Sequence, residues 1–220
     1  MTLATLVQQA YQLAASKETA PAAGTSKYLK LVGFANICQD AWQNEPDEDW
    51  NSLYSTVSLS ALVTATDTFA LNATIRKISN RPGDKIYILC LDGSKIYFTQ
   101  CRPEELSDYP NQNFVAKVGS NLRFARTFAA ADKEFGGTIK VPAYAFVATL
   151  ATDANVIQVD IPLWLSYMVA AEYCRTDPQL NYLEDGLVAR ANDIMQEMKQ
   201  SNAGQVETAH RPWAPLGRSW

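Results

Sequence analysis

The sequence predicts an α+β fold: a helical bundle made from both ends of the chain, a small antiparallel β-sheet inserted between them, and an extended C-terminal arm. Three observations predict it. Apolar residues recur at helical spacing near both ends. The period changes to two in the middle of the chain. A polar tail then carries Pro212, Trp213, Pro215 and Trp220 and has little with which to bury itself. The parts fall at 1–54 and 161–200 for the bundle, 55–160 for the inserted β domain, and 201–220 for the arm.

The first helix is expected over 3–15, where Leu3, Leu6, Val7, Ala10 and Leu13 share a face and Thr2 suits the N-cap. A loop rich in Ala, Pro and Gly separates it from a second helix over 26–43. There Tyr28, Leu31, Ala35, Cys38 and Trp42 form the apolar stripe, and Leu29, Phe34 and Ile37 widen it. The acidic run 45–49 reads as a solvated loop that tucks Trp50 and Leu53 back on the helices. Pro46 and three consecutive acids do not match the ligand spacing of a calcium loop.

From 55 onward Val57, Leu59, Ala61 and Val63 alternate with polar residues, as in a half-buried strand. Shorter strands are expected near 69–71 and 74–78. Asp92-Gly93 joins 85–91 to 94–100 as a hairpin whose turn residues both take positive φ. Pro103 to Tyr109 is one helical turn or a tight loop, and Gly119-Ser120 marks a second hairpin. Residues 138–152 read as one long strand, placed at an edge or bulged near Pro142 because proline donates nothing to a ladder. A short strand at 156–160 follows. Trp164, Met168, Ala171 and Cys174 stripe a third helix over 163–176. Leu180, Leu183, Leu187, Ala191, Ile194 and Met198 stripe a fourth over 178–200, with Asp177 as cap and Pro178 at the first position. The middle strands read as few and local, and no repeat of fixed period is visible.

Composition narrows the function. The chain has 220 residues, 47% hydrophobic and 19% charged, with a net charge of −4. That argues against a surface that grips phosphates by charge. The most apolar stretch, 161–171, is far shorter than the roughly 20 residues a bilayer crossing needs, so a soluble protein is expected. The first residues read as an amphipathic helix and not as a signal peptide. Cys38, Cys90, Cys101 and Cys174 are scattered without a Cys-x-x-Cys pair, and there is one histidine. Four buried thiols are expected, with a Cys90–Cys101 bridge as the alternative; no metal site and no cofactor are expected.

The familiar catalytic arrangements are not found: no nucleophile elbow, no Walker loop, no dinucleotide fingerprint. His210 lies in the tail, away from any group that could orient it as a base. Glu104, Glu105, Asp108, Glu184 and Asp185 read as solvated carboxylates. Arg123-Phe124 and Arg126-Phe128 could clamp a nucleic-acid strand by stacking. The plainer reading is a strand whose rings pack while its arginines face water. Arg211-Pro-Trp213 and Arg218-Ser-Trp220 pair the residue types most enriched at interface hot spots, which favours docking into a partner's groove. A frayed terminus without a role is the alternative.

In order, these parts resemble the head–tail adaptor proteins (connector, or head-completion proteins) of tailed bacteriophages. The likeness is carried by the Thr-Leu-Ala-Thr-Leu-Val-Gln-Gln-Ala helix, a second helix ending near Trp42, and Trp50-Asn-Ser-Leu53. Val118-Gly-Ser-Asn-Leu-Arg-Phe124, Val159-Asp-Ile-Pro162, Met168-Val-Ala-Ala-Glu172 and the final helix with its tail complete it. The resemblance covers nearly the whole chain, through motifs that are individually generic. It implies a non-enzymatic virion protein at the head–tail junction, made in the host cytoplasm. About twelve copies would form a ring below the portal by heterologous contacts. The ring would dock to the portal protein, extend the DNA channel, let genomic DNA pass without sequence recognition, and offer a surface to a tail or nozzle protein; no membrane is involved. Arg211, Trp213, Arg218 and Trp220 would contact the portal or a neighbouring subunit. A tail-completion or tail-tube subunit is a second reading, and a nucleic-acid-processing enzyme a third.

Overall fold

The computed structural model describes residues 1–16, 19–46, 48–62 and 66–209, with side chains to 203 in the last helix. The expected helical bundle with a small inserted sheet is corrected. The described residues form a mixed α/β fold with four α-helices and an eight-stranded sheet curled into a half-barrel. It divides into two compact units, Met1–Ser52 with the chain from Val147 onward, and Leu53–Phe146.

In the helical unit, α1 (Leu3–Ala15) buries Leu3, Leu6, Val7, Ala10, Tyr11 and Ala14. The Thr2 hydroxyl accepts from Thr5 N, and the Leu3 and Ala4 amides donate to the carbonyls of Asn155 and Asp153 at 2.8 and 3.3 Å. The orphan donors of the first turn thus find partners far along the chain. α2 (Ser26–Gln43) starts at Thr25, whose hydroxyl caps Tyr28 N. Its five-residue stripe from Tyr28 to Trp42 is buried as expected, and Trp50 stacks on Trp42 at 4.9 Å while its indole N–H donates to the Trp42 carbonyl. Leu29 and Ile37 do not widen this stripe; they are 59% and 64% exposed.

A polar row beside the buried stripe of α2 does something the apolar pattern could not announce. Asn36 donates from Nδ2 to Leu150 O (2.9 Å) and accepts at Oδ1 from Leu150 N (2.8 Å). Gln39 donates to Ala148 O (2.9 Å), and Gln43 accepts from Val147 N (2.9 Å). Three amides at i, i+3 and i+7 therefore act as a strand edge for residues 147–150. This is why the expected strand over 138–152 ends at Ala145: beyond it the backbone is satisfied by side chains rather than a ladder. The expected strand at 156–160 is reduced to one bridge, Thr2 to Val156.

α3 (Pro162–Arg175) lies against α1, with Tyr11 edge-on to Tyr173 at 5.8 Å and Ser166 hydrogen-bonded to Gln9. α4 (Glu184–Ala209) begins later than expected and ends later. Asp177 caps only a turn, accepting from Gln179 N, and a 3-10 turn over Asn181–Leu183 intervenes. Glu184 and Asp185 then sit in the first turn of α4, where carboxylates suit the positive end of the helix dipole.

In the sheet unit the strands are β1 (Tyr54–Ala61), β2 (Thr68–Ala70), β3 (Ile75–Ile78), β4 (Ile86–Leu89), β5 (Lys95–Gln100), β6 (Phe114–Val118), β7 (Asn121–Phe124) and β8 (Thr138–Ala145). Their order is β1-β8-β4-β5-β6-β7-β2, with β3 also on β8; the β5–β6 pair is parallel and the others antiparallel. β8 is interior, not an edge. One side pairs with β1; the other pairs with β4 through 138–140 and with β3 through 143–145. Pro142 falls at the handover between β4 and β3. Its carbonyl accepts from Ser79 N (2.9 Å), and its nitrogen faces the same way, toward the one place where no neighbouring strand asks for a donor.

One face of this sheet buries Ile86, Ile88, Phe98, Ile139 and Val141 with Phe69, Phe124 and Phe128. Phe98 meets Phe124 edge-on at 4.9 Å, and Phe124 meets Phe128 at 5.3 Å, the arrangement ring quadrupoles favour. Both expected hairpins form. In the first, Gly93 alone takes positive φ (81°) and Asp92 does not, so the turn is a three-residue loop. Asp92 instead accepts from Ser94 N and Oγ, and Lys133 pairs with it at 3.1 Å.

Three tests follow from this packing. Asn36→Leu should cost about 2 kcal/mol or more in urea denaturation, because it strands both backbone groups of buried Leu150. Gly137→Ala should destabilise by about 1–3 kcal/mol, since its Cβ would stand 2.8 Å from Glu134 O and 2.9 Å from Leu89 O. Hydrogen bonds from Ser94, then Lys133, hold the Asp92 carboxyl down at about 2. A lowered carboxyl contributes fully above its unfolded value and loses that contribution as pH falls from about 4 toward 2. Asp92→Asn should therefore flatten the acid limb of a stability-versus-pH curve.

Candidate functional site

Arg211, Trp213, Arg218 and Trp220, the residues singled out in the sequence, lie outside the described residues, as does His210. What the structure describes is the helix that precedes them in the chain. α4 buries Ala191, Ile194, Met195 and Met198 and continues past Asn202 to Ala209. Asn202 is the anchor. Its Oδ1 accepts from Asn51 N (3.0 Å), its Nδ2 donates to Glu48 Oε2 (2.9 Å) and Asp49 O (3.3 Å), and its carbonyl accepts from Asn51 Nδ2 (3.3 Å). One turn earlier, Lys199 pairs with Glu45 at 2.6 Å. The acidic loop expected to be merely solvated thus fastens the last helix.

Beside this anchor opens a cleft of about 410 Å³ lined by Asn51, Ser52, Asp160, Ile161, Met198, Ser201 and Asn202. Five of its seven lining residues are polar, and Met198 is only 1% exposed. The Ile161 amide, which begins α3 without a side-chain cap, donates to the Met198 sulfur at 3.4 Å. Its rim is polar, with Asp160 exposed. Nothing in the sequence pattern marked Asn202 or this cleft, because the contacts join residues about 150 positions apart.

The arginine–aromatic strand in the sheet unit is not a stacking platform. Phe124 and Phe128 are fully buried. Arg123 is exposed and pairs with Asp67 at 3.0 Å. Arg126 does not face water: it pairs with the buried carboxylate of Glu134 and lies over the Phe128 ring at 5.0 Å. Across the sheet, Arg81 covers the rings of Tyr54 (4.8 Å) and Tyr144 (5.3 Å), and Asp84 accepts from the Tyr54 and Ser79 hydroxyls at 2.8 and 2.5 Å. Burial, then the Asp84 hydrogen bond, pushes Tyr54 up to about 12, so this phenol stays protonated and structural.

The four cysteines are free. Cys38, Cys90 and Cys174 are buried; Cys101 is half-buried, a departure from the four buried thiols expected. Burial, then the charge of Glu172, pushes the Cys38 thiol up to about 12. Burial also raises Cys174 and Cys101. Raised thiols are poor nucleophiles at neutral pH. Among the described residues no group of three His, Cys, Asp or Glu side chains is placed to hold a metal ion, and no helix is long and apolar enough to cross a membrane.

No protein-family model matches the chain, and a search of the curated proteins returns no match.

Two outcomes are expected. Asn202→Ala should cost about 2 kcal/mol in denaturant unfolding, since it strands the Asn51 amide and frees the Glu48 loop. Thiol titration of the native chain should modify Cys101 first, with Cys38, Cys90 and Cys174 reacting at the rate of unfolding.

Proposed function

We propose that this chain is a structural virion subunit, a head-to-tail adaptor that closes into a ring on the portal, extends the DNA channel and offers the tail its docking surface. The observation that carries the reading is the uncovered side of α2. Leu29 and Ile37 are eight residues apart with Gly33 midway, so all three lie along one row of the helix, and both large side chains are mostly exposed. Gly33 has open space where a Cβ would stand, which lets another backbone approach closely. A monomeric protein gains nothing from such a row, whereas a ring subunit needs a patch for its neighbour.

Two further features support it. The order of parts resembles the adaptor family. The net charge of −4, repeated around a ring, gives a wall that does not hold DNA. The arm is best removed after Ala209, because a cut at 201 would also take the Asn202 anchor. The chain without 210–220 should keep its circular dichroism and melting curve and lose attachment to portal protein in a pull-down. Full retention of attachment, or a stable small dimer with nuclease activity, would overturn the reading.

A further inference from the structure

We infer that Tyr182 of one copy seats its ring on the Leu29–Gly33–Ile37 row of α2 in a second copy, with Asp185 of the first facing Lys30 of the second. The inference rests on the adaptor reading for its ring setting and goes beyond it in naming the other half of the contact.

The row is a notch with two walls. Leu29 and Ile37 stand four residues before and after Gly33, one helical turn away on either side, and both side chains are mostly exposed. No atom lies within 4 Å of the place a Gly33 Cβ would take. A flat ring can therefore lie over bare helix backbone between two aliphatic side chains. Tyr182 matches that shape. At 75% exposed it is the most exposed aromatic side chain among the described residues, and the 3-10 turn Asn181–Leu183 presents it just ahead of α4. A phenol buries its apolar body on such a notch while its hydroxyl stays in water, and with two side-chain torsions it loses little freedom in doing so.

Charge selects the same pairing. Lys30 lies three residues before Gly33 and Lys27 three before that, and neither meets a carboxylate among the described residues. Lys30 Nζ rests only near the Phe34 and Tyr173 rings, at 5.8 and 6.0 Å. Asp40, toward the far end of the row, is bonded to Gln43 and Asn44. Beside Tyr182, Glu184 is drawn to Arg175 at 3.8 Å, whereas Asp185, three residues after the ring, has no cation among the described residues. A free cation thus flanks the notch and a free anion flanks the ring, the complementarity that fixes register in an interface. Both surfaces belong to one compact unit and both stay open within it, so a chain does not cover its own row. Two different patches meeting between copies make a heterologous contact, the kind a ring requires.

The test is sedimentation velocity on the full-length chain. The wild type is expected to associate as its concentration rises. Tyr182→Ala removes the ring and Gly33→Gln fills the notch, and each alone should weaken association about tenfold or more. Gly33→Gln should meanwhile melt at or above the wild-type temperature, because glycine is a poor helix former and its Cβ position is open, so a damaged fold cannot mimic its effect. Mixed together, the two variants should form one-to-one pairs and nothing larger, since the intact ring of one meets the intact notch of the other. Lys30→Glu and Asp185→Lys should each weaken association about tenfold, and the two in one chain should recover most of the loss. A wild-type chain still monomeric at about 1 mM, the weak end of binding, overturns the inference. So does association that Gly33→Gln abolishes and Tyr182→Ala leaves intact, which gives the notch to another patch such as Val156 and Leu163. Charge reversals that do not rescue each other overturn it as well. Portal pull-down is scored separately. Pairing of the mixed variants without portal attachment removes the adaptor reading and keeps the contact; portal attachment without pairing does the reverse.

Discussion

The helical unit depends on one constraint: an extended segment with no sheet around it must still satisfy its backbone. Residues 147–150 solve this by lying along α2, where Asn36, Gln39 and Gln43 supply the donors and acceptors that a neighbouring strand would have supplied. A buried amide without a partner costs about 1–3 kcal/mol, so these contacts outweigh any single apolar contact nearby. They also fix what comes next. The loop that follows delivers the Asp153 and Asn155 carbonyls to the first turn of α1, and Tyr28 of α2 bonds the Asp153 carboxylate. Two helices from the start of the chain are thereby registered against a segment from its last third.

The sheet unit is organised by β8 in a comparable way. It gathers β1, β3 and β4 although these strands precede it by 50 to 90 residues of sequence. Pro142 is compatible with this central place because its missing donor points at the break between two partners. Proline in a strand pattern signals a gap in hydrogen-bonding demand, and an edge is only the commonest such gap.

Much of the local structure was legible in the sequence. Helices α1, α2 and α3 fall within a residue or two of the expected bounds, since apolar spacing and Thr2 mark them directly. Both hairpins were legible from Asp92-Gly93 and Gly119-Ser120. The sheet was not. Its size and curl come from pairings across long stretches of chain, which period and turn chemistry do not encode. The start of α4 was misread because Asp177-Pro178 also fits a turn, and Leu29 and Ile37 were misread because an apolar residue beside a core stripe looks the same whether it meets the core or lies exposed. The anchor at Asn202 and the cleft beside it left no local trace, being made of polar residues brought together from far apart.

The late arrival of β8 has a consequence for synthesis. Ribosomes add roughly 5–20 residues per second, so β1 emerges some seconds before the strand that will hold it. Through that interval the nascent chain carries Tyr54 to Ala61, a stretch with neither a charge nor a proline, as a bare ribbon. Until residue 145 has followed, that edge lacks the partner it has in the finished sheet, and the interval is when another chain could pair with it.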